Sequence, residues 1–276
     1  MQQLHYSLGL PRTASTLIMN ILNENPRIFT TGTCPLPYLV DSSNQRTNEV
    51  SECIALDKDV LNKSYINFLR QGIKGWFEAM TDKPIVFSKS RSWAEFLPHT
   101  LAFDPNSKYL VILRDLRDII CSLDSLLWKY PQVVYDCDTP FYRLSFDERI
   151  KSYCRDTDSL LGRPLSNLPH VMEVAQKYSN NFFILRQEDF NEKPREAFQM
   201  IYQWLGEEYF EHDFDNIPKP DYYEHDTIYR SLVSHKTGTK LKKLEPRWPK
   251  IMTEDQSATV IANNKWYYET FYPEFL

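Results

Sequence analysis

Short apolar runs of β type alternate with segments of helical periodicity along most of this chain. That alternation constrains the fold more than any other feature of the sequence. Residues 4–8 (LHYSL) run into the turn Gly9-Leu10-Pro11, and residues 15–23 follow with helical spacing. The pattern returns as 84–88 (PIVFS) before 93–103, 109–113 (YLVIL) before 117–130, and 182–185 (FFIL) before 194–205. A further helix is predicted over 59–80, where Leu61, Tyr65, Leu69, Ile73 and Phe77 fall near helical spacing. Pro194 suits a first helical turn, where its missing N–H is not needed. Strands that alternate with helices pair in parallel through right-handed crossovers, so the expected fold is α/β, a central parallel sheet flanked by helices. Ligands in such sheets sit at the carboxyl ends of the strands, which singles out residues 9–16, 88–91, 114–117 and 186–189.

The chain has 276 residues, no internal repeat and no Gly/Ser linker, so a single domain over residues 1–276 is expected. With 42% hydrophobic and 25% charged residues it is neither a disordered tail nor a low-complexity scaffold. Lys and Arg number 32 against 37 Asp and Glu, a net charge of −5. An acidic balance argues against a nucleic-acid coat but leaves room for a local basic pocket. Cys34, Cys53, Cys121, Cys137 and Cys154 include no C-x-x-C pair, and the six histidines are scattered, so no metal is expected. The N-terminus lacks the pattern of a secretory signal. No stretch reaches the roughly 18 apolar residues that a membrane span needs. A soluble, cytoplasmic protein is the resulting expectation, with a Golgi or secretory protein trimmed of its anchor as the alternative.

The loop Gly9-Leu10-Pro11-Arg12-Thr13-Ala14-Ser15-Thr16 joins the first strand to the first helix. Backbone N–H groups at such a helix start can hold a phosphate. Set against the nucleotide-triphosphatase pattern G-x-x-x-x-G-K-[ST], Gly9 and Thr16 fit, Ala14 replaces the second glycine and Ser15 replaces the lysine. Losing that lysine makes ATP or GTP hydrolysis a poor reading. Arg12 supplies a cation earlier in the loop. A second candidate anion site follows residues 109–113: Arg114 stands at the strand end, and Ser122 lies about two helical turns on. A guanidinium fork and a hydroxyl together can hold a second phosphate. Taken alone, this stretch also reads as a helix entry with Asp115 capping and Arg117 and Asp118 exposed.

Together these segments resemble the sulfotransferases that use 3′-phosphoadenosine 5′-phosphosulfate (PAPS). GLPRTASTLIMNIL is similar to their 5′-phosphosulfate loop, KYLVILRDLRDIICSL to their 3′-phosphate motif, and NFFILRQEDF to a later strand motif that often ends in Tyr-Glu-Asp. The closest likeness is to the tyrosylprotein and Golgi-type carbohydrate branches, and it covers about residues 4–205. The resemblance implies a P-loop-like sulfotransferase fold, PAPS as donor, 3′-phosphoadenosine 5′-phosphate (PAP) as product and no metal. It implies cofactor binding by Arg12, Thr13, Ala14, Ser15, Thr16, Arg114 and Ser122. Lys89, just after residues 84–88, matches the family's catalytic lysine, which stabilises charge on the leaving bridging oxygen; Arg12 is the second catalytic candidate.

Three departures stand out. Ala14 takes the place of a glycine, and Gln187 the place of a tyrosine. The positions where two branches keep a general base read as Thr33 and Arg91. Asp41, Glu52, Asp57 and His99 are candidates to take the acceptor proton, and none is singled out. Late in the chain an acidic run (207–226) precedes a basic one (227–250). These are either two solvated faces or a basic flap over an anionic cofactor, with Lys236 and Lys240 as its phosphate contacts. The expected acceptor bears a hydroxyl: a sugar, a peptide tyrosine or a small alcohol. The alternatives are another phosphotransferase with a P-loop-like site, or a sulfotransferase-like domain that binds nucleotide or a partner without turnover.

Overall fold

The computed structural model describes residues 2–129, 143–155, 157, 159–218 and 238–276. Five strands, β1 (Gln3–Gly9), β2 (Ile28–Thr30), β3 (Ile85–Lys89), β4 (Tyr109–Leu113) and β5 (Phe182–Arg186), form a sheet in the order β2-β3-β1-β4-β5. Every pairing is parallel. β1 is central, with β3 on one side and β4 on the other, so the chain leaves its carboxyl end toward both edges. That is where an open α/β sheet forms a crevice.

Both faces of the sheet are covered, which is why the strands read as nearly continuous apolar runs. On one face Ile85, Phe87, Leu110 and Ile112 pack against α1 (Ser15–Leu22) through Ile18 and Leu22, and against α10 (Pro194–Leu205) through Phe198 and Ile201. On the other, Tyr6, Leu8, Val111 and Leu113 meet α4 (Lys58–Glu78), α5 (Leu97–Phe103), α6 (Leu116–Lys129) and α8 (Gly162–Lys177). α2 (Leu36–Thr47) and α3 (Ser51–Ile54) precede α4 between β2 and β3. α7 (Phe146–Arg155) packs on α8 and on α11 (Glu254–Asn263). The short α9 (Gln187–Glu192) follows β5, and α12 (Lys265–Phe271) follows α11.

The expected strands and their following helices are present, with shifted ends. α4 starts after Asp57, whose carboxylate accepts from the Asp59 and Val60 N–H groups. Asp57 is thus a helix cap in this structure. The helix expected over 93–103 is two elements, a 3₁₀ turn (Arg91–Phe96) and then α5, with Pro98 in the first turn of α5. Proline lacks the N–H that would carry the first element through. β2, α2, α3, α7, α8, α9, α11 and α12 were not foreseen. β2 has only three residues, too few to show a period. Residue 130 of the helix expected over 117–130 and Cys137 lie outside the described residues.

The two charge runs meet each other. Ile217 N–H donates to Thr239 O (2.7 Å), Leu241 N–H donates to Phe214 O (2.8 Å), and Lys240 Nζ lies 2.6 Å from Asp215 Oδ1. Most of the charged side chains described in both runs are exposed, and Lys240 meets Asp215 at the surface. Among the described residues, no helix is long and apolar enough to cross a membrane, and no group of three His, Cys, Asp or Glu is placed to hold a metal ion.

Candidate active site

The loop after β1 is shaped by close approach to β4. A Cβ on Gly9 would lie 2.2 Å from Ile112 O, and Gly9 has φ of 127°. Only glycine fits there. Leu10 N–H then donates to Ile112 O (3.1 Å), and the Thr13 hydroxyl donates to Leu10 O (3.0 Å). Arg12 and Ala14 both adopt left-handed backbone, with φ of 58° and 57°. The place where the resembled family keeps a glycine is thus one that favours glycine, and Ala14 occupies it under strain. Ala14 is the N-cap of α1, and no side chain caps that helix. The first-turn N–H groups of α1 lack intrahelical partners and present a partial positive charge to any anion in the loop.

The two sites singled out on separate α/β units come together. Arg12 Nε donates to Ser122 Oγ (3.0 Å), and Arg114 Nη1 donates to Arg12 O (2.9 Å). Arg114 also pairs with Asp118 (2.9 Å), both side chains being buried. Desolvation, followed by repulsion from Arg114 and Arg247, pulls the Arg12 guanidinium below the ordinary arginine value. It stays charged at any ordinary pH, so three guanidinium groups crowd one place. Arg247 was not foreseen. The other oxygen of Asp118 accepts from Arg247 N–H (2.8 Å) and Trp248 N–H (3.1 Å), which ties this part of the tail to Arg114.

Lys89, at the end of β3, reaches α1 from the opposite side. Its ammonium donates to Thr16 Oγ1 (3.0 Å) and Gly32 O (2.6 Å), while its backbone N–H donates to Thr31 Oγ1 (2.8 Å). The lysine is therefore held at the first turn of α1, beside the loop. Its neighbour Ser88 accepts from the buried Trp93 indole (2.9 Å), which fixes the strand end.

A layer behind these residues sets their position. Asp115 caps α6 by accepting from Arg117 N–H (3.0 Å) and also binds the Arg117 guanidinium (2.6 Å). Arg117 and Asp118 are buried, not exposed as the helix-entry reading had them. The Arg117 guanidinium lies over Trp248 (3.9 Å) and Phe275 (4.3 Å). Tyr267 OH donates to Arg114 O (2.8 Å), Tyr268 OH to Asp115 (2.9 Å) and Tyr272 OH to Glu188 (2.8 Å). Glu188 in turn accepts from Asp115 N–H (3.0 Å), and its burial pushes its carboxyl above the usual carboxylate range. Glu188, Tyr267 and Tyr268 are thus scaffold.

Other candidates sit elsewhere. Lys240 is exposed on Asp215 and lines a cavity beside Ala14. Lys236 lies outside the described residues. Asp41 is an exposed helix residue accepting from Gln45 (3.0 Å), and Glu52 is exposed in α3. His99 is half-buried on α5, where desolvation holds its imidazole below the usual value. Arg91 donates to Leu160 O (3.2 Å).

A protein-family model described as "Sulfotransferase family" matches residues 7–211. The sulfotransferase domain from the curacin biosynthetic pathway is similar in structure, at 13% identity over 96% of this chain and 98% of its own, with a TM-score of 0.61. Mouse sulfotransferase SULT7A1 complexed with PAP matches at 12% identity over 95% and 82%, TM-score 0.58. Retinol dehydratase in a complex with retinol and PAP matches at 13% over 97% and 82%, TM-score 0.52. Among curated proteins, no sequence relative matches. At these identities the structural likeness speaks for the fold.

Proposed function

Because the chain belongs to the sulfotransferase family, we propose that it transfers the sulfuryl group of PAPS to an acceptor hydroxyl, releasing PAP. The observation that carries this reading is the contact of Arg12 with Ser122, which joins the loop after β1 to the helix after β4. A donor with separate 5′ and 3′ phosphates needs two anion seats side by side. The α1 first turn supplies one, and Arg114, Arg12 and Ser122 supply the other. Thr13, Ala14, Ser15 and Thr16 carry the loop around the first seat. Lys240 stands at the rim of the neighbouring cavity.

In the transfer, the acceptor oxygen bonds to sulfur as the bond from sulfur to the bridging oxygen breaks. Negative charge then grows on the phosphate side. A lysine ammonium held at the first turn of α1 stabilises that charge more than it stabilises the bound donor. This is the role assigned to Lys89, with Arg12 beside it. Thr33 and Arg91 accept no proton at neutral pH. The reading singles out no protein base among Asp41, Glu52, Asp57 and His99.

Calorimetry with PAP and with 5′-AMP tests the two-seat reading. Losing charge-assisted contacts to the 3′-phosphate costs about 1.5–3 kcal/mol, so PAP should bind more than about tenfold tighter. Ser122→Ala should narrow that gap. Equal affinity for the two nucleotides would refute the second seat.

A further inference from the structure

Just past Lys89 the chain carries another cation, Arg91, which opens the 3₁₀ turn Arg91–Phe96. Its Nη1 donates to Leu160 O (3.2 Å), a neutral carbonyl, and among the described residues no carboxylate pairs with it. Glu95, on the same turn, is engaged by Arg163 (3.0 Å) instead. Arg91 is exposed to solvent, yet the protein around it desolvates its guanidinium and lowers it from the ordinary arginine value, an effect that Tyr38 only partly offsets. A side chain that water reaches while protein surrounds it lies at the floor of a hollow. The segment that carries Tyr38 begins at Gly32, whose carbonyl holds the Lys89 ammonium (2.6 Å), so the hollow opens beside the proposed transfer site. Tyr38 and Leu39, on the first turn of α2, and Leu160 are exposed apolar side chains. A guanidinium stays charged at any ordinary pH, and a desolvated charge without a counter-charge is costly.

We propose that Arg91 selects the acceptor, and that the acceptor is a hydroxy acid: a molecule with an apolar body that carries the reacting hydroxyl and a carboxylate. The proposal rests on the PAPS reading above and adds an acceptor class to it. A guanidinium offers parallel N–H donors that match the two oxygens of a carboxylate. Two residues of chain span at most about 7 Å, so the backbones of Lys89 and Arg91 are close enough for one small molecule to reach both side chains. Its hydroxyl meets the sulfuryl group beside Lys89, and its carboxylate meets Arg91. Tyr38, Leu39 and Leu160 offer apolar surface to its body. The carboxylate takes no part in the transfer. The oxygen–sulfur bond forms at the hydroxyl, and the product is the sulfate ester of the same acid. An uncharged acceptor would leave the guanidinium in its hollow without a counter-charge.

The test uses two hydroxy acids of different length, para-hydroxyphenylacetic acid and ω-hydroxydecanoic acid, each beside its methyl ester. The ester keeps the hydroxyl and the body and removes the charge. Sulfate transfer from radiolabelled PAPS is measured with the wild-type protein. The expected result, in at least one pair, is a kcat/KM for the acid higher than for its ester by roughly ten- to a hundredfold, the worth of a charge-assisted contact. The difference should lie mainly in KM. Arg91→Gln should bring the acid down to the level of the ester, and Arg91→Lys, which keeps the charge without the fork, should fall between. The wild-type comparison needs no variant and stands if Arg91→Gln fails to fold. Esters used as well as acids in both pairs would overturn the proposal, as would an acid preference retained by a folded Arg91→Gln. Transfer to none of the four by a protein that binds PAP would overturn the acceptor class and leave the PAPS reading intact. Failure to bind PAP would overturn the PAPS reading and this proposal with it.

Discussion

Asp118 is the carboxylate that pairs with Arg114 at the proposed second anion seat, and its removal should be felt in both stability and binding. Its side chain and that of Arg114 are 8% and 9% exposed and meet at 2.9 Å. Removing one partner of such a pair leaves the other charge buried and uncompensated, at a cost of about 3–5 kcal/mol. The Arg247 and Trp248 N–H groups lose an acceptor as well. They lie on a partly exposed segment, where water replaces the lost bonds, so the expected total for Asp118→Ala stays near 3–4 kcal/mol. At about 2–4 °C per kcal/mol for a chain of this size, the melting temperature should fall by roughly 6–16 °C. Asp118→Asn keeps an oxygen for the two N–H groups while removing the charge, and should fall between wild type and Asp118→Ala. Nucleotide supplies the second half of the test. A 3′-phosphate beside Arg114 replaces the missing negative charge, so PAP should raise the melting temperature of Asp118→Ala more than that of the wild type. Urea unfolding of Asp118→Ala within about 1 kcal/mol of wild type would refute the reasoning, since a buried charge pair cannot be lost so cheaply.

Lys89→Ala should reduce turnover by about 10²–10³ with little change in PAP affinity, the pattern of a group that acts on charge appearing during transfer. Once an acceptor is in hand, kcat and calorimetric affinity on the same variant decide it, and a collapse in affinity alone would make Lys89 a binding residue. Ala14→Gly should stabilise the protein by about 0.5–1 kcal/mol, relief of left-handed backbone partly offset by glycine's greater freedom when unfolded. A melting temperature that fails to rise would show that Ala14 is not strained. His5 should contribute to acid sensitivity: burial and then the Lys108 charge lower its imidazole to about 4, and its Nδ1 accepts from Lys108 N–H (3.2 Å). The unfolded chain therefore takes up the proton first, so this contribution is complete above about pH 6.5 and is lost as pH falls toward 4, at up to about 1.4 kcal/mol per pH unit. His5→Asn, which keeps an acceptor, should make urea stability less steep over that window, and an unchanged slope would exclude His5 as the cause.

The parts of this site that the sequence revealed are those written on contiguous strand–loop–helix segments. Gly9 to Thr16, Lys89 after its strand, and Arg114 with Ser122 each carry local signals: a turn residue, an apolar run, a cation at the strand end. Their convergence was legible because parallel strands place their carboxyl ends together. The second layer was not legible. Asp118 read as an exposed helix residue because nothing near it in the chain announces Arg247 and Trp248, well over a hundred residues away. Glu188 gains its role only when β5 lies beside β4 and brings it to the Asp115 N–H. β2 was too short to show a period, and Asp57 looked like a possible base until its place at the start of α4 became clear. The acidic and basic runs read as separate features because no local signal announces the contact of Asp215 with Lys240.

The three tyrosines of the C-terminal segment have a consequence for the order in which the protein can become competent. Tyr267, Tyr268 and Tyr272 hold Arg114 O, Asp115 and Glu188 from the last dozen residues, and Phe275 covers the Arg117 guanidinium. On a ribosome adding about 5–20 residues each second, the phosphate loop emerges many seconds before these tyrosines do. A nascent chain stopped short of Tyr267 has the loop after β1 but lacks the hydroxyls that fix the ends of β4 and β5. It should therefore hold nucleotide poorly. Competence would then wait for α12 to dock, and a pull on the segment after α12 should reach the ends of β4 and β5 before it disturbs the rest of the sheet.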